Sequence, residues 1–138
     1  MKQKSTKQSF LRSQLVLLKP FLSGCSLATA RRGQDKLGRL MASSWHRDVQ
    51  CEEFSVGEVE CAMLTPHDEL SGGVILYLHG GGYTAGNLAY AKGFGTVLAA
   101  KCGMRVLCAA YRLAPEYPFP TALEDSLDAY GYLLSHGF

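Results

Sequence analysis

The pattern of apolar and polar positions changes character twice along this chain. Up to about residue 42 the apolar residues recur at helical spacing. Leu11, Leu15, Leu18 and Leu22 fall at i, i+4, i+7 and i+11, one stripe of an amphipathic helix over 8–22. Ser26 is placed to cap a second helix over about 27–42. Leu27, Ala30, Leu37 and Met41 share one face of it, with Arg31, Arg32, Lys36 and Arg39 on the others. Gly33 and Gly38 weaken that helix. The period then shortens. Residues 49–56 and 58–65 alternate partially around Val56-Gly57 and predict a hairpin.

After a polar, turn-rich loop at 66–73, the run Val74-Ile75-Leu76-Tyr77-Leu78 predicts a buried strand. A helix over 88–102 follows, with Phe94, Val97, Leu98 and Cys102 turned inward and Gly103 closing it. Residues 105–111 are almost continuously apolar, the signature of a parallel strand covered on both faces. Pro115, Pro118 and Pro120 stiffen the next loop. The last helix spans 121–135, with Thr121 and Glu124 as a capping box and Leu123, Leu127, Tyr130 and Leu134 as its apolar stripe. Residues 74–138 thus read strand–helix–strand–helix, a unit of mostly parallel α/β sheet behind an antiparallel hairpin. The helical segment 1–45 is expected to form a cap, and 46–138 the core.

Composition narrows the class. The chain is 47% hydrophobic and 19% charged, as in an ordinary globular domain. Its net charge of +2 divides unevenly, with +8 in residues 1–50 and −6 in 51–138. Aromatic residues do not interleave the basic ones as a nucleic-acid surface favours, so no nucleic-acid partner is expected. No run approaches the ~20 apolar residues of a membrane span. The five cysteines form no CxxC pair and have no histidine at zinc-ligand spacing, so no metal is expected. Free buried thiols in a reducing, cytoplasmic compartment fit best. Leu22-Ser23-Gly24-Cys25 resembles a lipoprotein cleavage box and would imply export, but Arg12, Lys19 and Pro20 interrupt the apolar core a signal peptide needs.

The candidate chemistry lies in His79-Gly80-Gly81-Gly82-Tyr83, directly after the 74–78 strand. Consecutive glycines leave backbone N–H groups free to point into a site, which is what acyl transfer needs to stabilise an oxyanion. This motif, together with Tyr111-Arg112-Leu113-Ala114-Pro115-Glu116-Tyr117-Pro118-Phe119-Pro120 after the next strand, resembles the hormone-sensitive-lipase-like family of α/β-hydrolases. The resemblance implies the N-terminal part of an α/β-hydrolase fold with N-terminal cap helices. It implies a serine carboxylesterase or lipase acting on a small-molecule ester without a cofactor. Gly81 and Gly82 match the oxyanion-hole glycines. His79 and Gly80 match motif positions whose role is to shape the loop, and Tyr83 either lines the acyl or alcohol pocket or packs under the loop. The proline-rich loop and Asp125 match architectural positions.

One element of the pattern is missing from these residues. The nucleophile belongs on a G-x-S-x-G turn between strand and helix, and residues 1–138 contain none. By the family's layout it would follow the 121–135 helix, just beyond Phe138, with the acid and histidine later. The strand at 105–111 would then be an apolar edge. A non-catalytic, ligand-binding member of the same fold is the alternative. A dinucleotide site is disfavoured, because the next strand ends in Ala110-Tyr111-Arg112, without the acidic residue that would hold a ribose. Substrate and oligomeric state are not legible in these residues.

Overall fold

The computed structural model describes residues 26–45 and 48–138. The helix expected over 8–22, like Cys25 and His46, lies outside them.

Four strands form one sheet: β1 (Val49–Val56), β2 (Val59–Pro66), β3 (Ser71–Leu78) and β4 (Met104–Ala110), in the order β1-β2-β4-β3. The hairpin forms as expected, with Val56 opposite Val59 and Gly57 at φ 57° in its turn. β2 runs antiparallel to β4 and β3 parallel to it. β4 is therefore interior, not the edge that its position in the chain suggested. The physical reason is its composition. Val106, Leu107, Cys108 and Ala109 offer nothing to water, so both faces and both edges are covered. Among the described strands β3 lies outermost beside it, and its Leu78 is partly exposed.

The two sides of β4 feed two cores. Val106 and Cys108 face Val49, Ala62, Leu64, Ala91 and Ala99, under α2 (Leu88–Cys102), which follows α1 (Leu27–Trp45) in the chain. Leu107 and Ala109 face Val59, Cys61, Ala129 and Leu133, under α3 (Thr121–Ser135). This is the period-two alternation of a strand buried on both faces.

The helix faces depart from the expected stripes. α2 buries Ala91, Gly93, Gly95, Thr96 and Ala99, while Phe94 and Cys102 are exposed. α3 buries Asp125, Ala129 and Leu133, leaving Leu123, Leu127, Tyr130 and Leu134 more than half exposed. In both helices the small residues face the sheet, because they let the backbone approach it closely. α3 also lacks the capping box. Pro120 occupies its N-cap without a side-chain bond, and Thr121 is already helical. Ser26 does cap α1, its Oγ accepting from the Thr29 N–H at 3.3 Å. Of the described cysteines, Cys61 and Cys108 are buried, while Cys51 and Cys102 are exposed. Burial pushes the thiols of Cys61 and Cys108 up to about 11 and about 12, which keeps both protonated.

α1 packs on α2 at a crossing made by glycine. A Cβ on Gly38 would lie 2.5 Å from the Ala89 carbonyl, and one on Gly93 would lie 2.3 Å from the Gly38 carbonyl. Leu37, expected on this face, is exposed instead. Gly33 has open space around it. Gly33→Ala is therefore expected to stabilise the chain, by up to about 1 kcal/mol from helix propensity. Gly38→Ala and Gly93→Ala should destabilise it by about 1–3 kcal/mol, because the overlap outweighs the same propensity gain. Urea unfolding separates the two. Stabilisation by Gly38→Ala would rule out the backbone contact.

Candidate active site

The glycine loop leaves the end of β3 and runs to Asn87, which caps α2 by accepting from the Tyr90 N–H at 2.9 Å. Within it the three glycines differ. Gly80 has room for a side chain. Gly81 does not: it sits at φ 141°, and a Cβ there would lie 1.9 Å from the Ala85 carbonyl. The contact arises because the Ala85 N–H turns back to the Gly81 carbonyl at 3.2 Å. Gly82 sits at φ 63° with open space around it. Neither the Gly81 nor the Gly82 N–H meets an acceptor among the described residues. Both glycines line a cleft of about 400 Å³, with Tyr83, Tyr111, Leu123 and Ser126.

Tyr83 is the one positive-φ residue other than glycine among those described, at 61°. Such a conformation costs roughly 1–2 kcal/mol. It is held by the Ala114 N–H, which donates to the Tyr83 carbonyl at 2.8 Å. The ring is mostly exposed at the rim of the cleft and lies 6.1 Å from Tyr111, centroid to centroid. It does not pack under the loop.

His79 is 3% exposed and sits beneath the loop. Its ring stacks on Tyr111 at 4.3 Å and 13° and meets the edge of Tyr90. The Tyr111 hydroxyl donates to the His79 carbonyl. Nδ1 lies 3.1 Å from the Gly80 carbonyl and so carries the proton, leaving Nε2 as a buried acceptor without a partner in the structure. Gly86 makes room for the ring, since a Cβ there would fall 2.1 Å from it. Burial lowers the His79 pKa from 6.5, against a smaller opposing effect of the Gly80 carbonyl.

The loop after β4 is fixed by an ion pair between partly exposed Arg112 and buried Asp125. Asp125 accepts from the Arg112 backbone N–H at 2.8 Å and from its guanidinium at 2.7 Å. Burial alone would raise the Asp125 pKa, but the bonds from Arg112 outweigh it and lower the value. Arg112 also pairs with Glu58 on the hairpin and lies over the Tyr117 ring. These contacts tie the end of β4 to α3.

Three further side chains approach the glycine loop from α1: Arg31, Gln34 and Asp35. They sit at i, i+3 and i+4, so a shared helix face was legible, but its target was not. Among the described residues no group of three or more histidine, cysteine or acidic side chains is placed to hold a metal. No helix among them is long and apolar enough to cross a membrane.

Comparison with known proteins places this geometry. Residues 75–138 match the family described as alpha/beta hydrolase fold. The chain carries part of that fold, a mixed four-stranded sheet with three described helices. It is similar to solved and curated esterases and lipases, one of them from the bacterial hormone-sensitive lipase family. An esterase/lipase from an uncultured bacterium overlays 83% of this chain with a TM-score of 0.71 and 34% identity. An esterase of the bacterial hormone-sensitive lipase family gives 0.70 and 35% over 83%. In sequence, an ethyl acetate hydrolase of Pseudomonas putida is 45% identical over 71 residues, half of this chain. Lipase 2 of a Moraxella species is 44% identical over 62 residues, 45% of this chain. The chain spans 22% of the Pseudomonas relative, 14% of the Moraxella one and 38% of each of the two solved esterases.

Two outcomes follow from the loop geometry. Gly80→Ala should change stability by no more than about 0.5 kcal/mol, whereas Gly81→Ala should cost about 1–3 kcal/mol, as read by urea unfolding. The second concerns pH. The folded His79 pKa lies below the unfolded one, so the unfolded chain binds the proton more readily. The stabilisation from a neutral His79 is complete above about pH 6.5 and is lost as the pH falls toward the lowered folded value. Melting temperatures at pH 7 and pH 5 should therefore differ more for the wild type than for His79→Gln. Equal slopes would show that the histidine is not held neutral.

Proposed function

We propose that this chain supplies the oxyanion-binding half of a serine carboxylester hydrolase. The observation that carries the reading is the pair of unengaged N–H groups on Gly81 and Gly82, held at positive φ over a cleft. A tetrahedral intermediate of ester hydrolysis carries a negative charge on its former carbonyl oxygen. Donors already in position stabilise that charge without reorganising, and losing one typically costs about 10²–10³ in kcat. The similar proteins, whose names describe an ethyl acetate hydrolase and a lipase, support a small ester as the substrate class.

In this reading His79 shapes the loop and is not the general base. It lies beneath the loop, with Nδ1 engaged by Gly80, while a base must reach the nucleophile. Tyr83, at the rim, contacts the acyl or alcohol part of the ester. The nucleophile, acid and base are assigned to residues other than 1–138, which hold no G-x-S-x-G turn. The second reading is a non-catalytic ligand-binding member of the fold, since a fold by itself does not fix a function.

The coding sequence beyond Phe138 separates the two. A G-x-S-x-G turn within about 20 residues is expected if the protein is an esterase, and its absence there would favour the ligand-binding reading. The 138-residue chain by itself should not turn over a short-chain nitrophenyl ester above buffer. Turnover that persists through controls with a serine-directed inhibitor would overturn the assignment of the nucleophile.

A further inference from the structure

One guanidinium on α1 joins three segments that are far apart in the chain. Arg31 Nε donates to the Thr84 carbonyl at 2.9 Å. Its two terminal nitrogens grip both oxygens of Glu116, each at 2.9 Å, and one of them also reaches the Ala114 carbonyl at 3.2 Å. Thr84 in turn faces Gly81: its N–H and its hydroxyl each lie 3.3 Å from the Gly81 carbonyl. One helical turn on, Asp35 accepts from the Asn87 amide that caps α2. The two side chains hold the loop between Thr84 and Asn87.

We infer that Arg31 is a positioning residue for the oxyanion loop, fixing the Thr84 carbonyl against the 112–120 loop and thereby the direction of the Gly81 peptide. Its significance for acyl transfer rests on the ester-hydrolase reading above. An exposed ion pair alone would be a weak reason, because such pairs contribute little to stability. Here two of the four acceptors are backbone carbonyls on different loops, and only a planar fork reaches them together with a carboxylate. Lysine carries the same charge but cannot span that set. The bonds from Arg31 also hold the Glu116 carboxyl down to about 2, so the pair stays charged across the physiological range.

Amide hydrogen exchange measured by NMR on the 138-residue chain tests this. Arg31→Ala should speed exchange at Thr84 and Ala85 by about tenfold or more, with Leu107 and Leu133 within about twofold of wild type. Arg31→Lys should show the same loop-selective change. Glu116→Gln, which leaves the Thr84 contact in place, should give a smaller acceleration confined to the same amides. Unchanged Thr84 and Ala85 rates in both Arg31 variants would overturn the inference. So would equal acceleration of loop and core amides, which would signal lost stability alone, or wild-type rates in Arg31→Lys, which would show that charge suffices. Because the readout is the loop itself, a negative result leaves the ester-hydrolase reading standing. A missing serine turn would likewise leave a positive result standing.

Discussion

Four consecutive residues, Val106 to Ala109, are fully removed from water, and that burial is the constraint on which the other elements depend. A strand with no polar face must be covered on both sides and paired at both edges. The hairpin supplies one edge through β2, and β3 supplies the other. α2 and α3 cover the two faces. The end of β4 then delivers Tyr111 and Arg112 side by side. Tyr111 holds His79 by stacking and by its hydroxyl, and Arg112 holds α3 through Asp125. The glycine loop, which leaves β3, is thus held through Tyr111 to the end of the best-buried strand.

Close backbone approach is the second constraint. Gly38 and Gly93 let α1 touch α2, and Gly86 lets the His79 ring lie under the loop. A methyl group at any of these points would lie 2.1–2.5 Å from its neighbour, so the neighbour would have to shift. The crossing brings Arg31, Gln34 and Asp35 to the loop. Position in the site therefore depends on what is missing at some residues as much as on what is present at others.

That explains which parts were legible in the sequence. The strands and helices within the described residues were, because period-two and helical apolar spacing are local. α2 was read to its observed ends, since Gly103 in the left-handed conformation closes it through a bond to the Ala99 carbonyl. The helix faces were not. A stripe argument puts the largest apolar side chains inward, whereas here Ala129 and Gly95 face the sheet while Leu127 and Phe94 do not. Nor was the interior place of β4, because strand order is set by pairings distant in sequence. In the site, His79 to Gly82 stood out by composition. Arg31 did not, since its partners lie 53 to 85 positions away and no local signal marks them.

The energetics of the loop follow from its exposure. Gly82 is open to solvent, so its N–H loses little by having no protein partner, since water serves. A donor in that state stabilises an oxyanion only modestly, because it already has a partner to exchange. Its value rises when water leaves and the dielectric falls, since the charge then has only the fixed dipoles to turn to. In the ester-hydrolase reading, what residues 79–87 would contribute is orientation established in advance. The Gly82 N–H shares its peptide with the Gly81 carbonyl, which accepts from Thr84 and Ala85. The Gly81 N–H shares its peptide with the Gly80 carbonyl, held by His79 Nδ1, so neither set of bonds uses the N–H groups themselves. Separating the scaffold bonds from the donor bonds lets the loop stay rigid while its chemistry remains unspent.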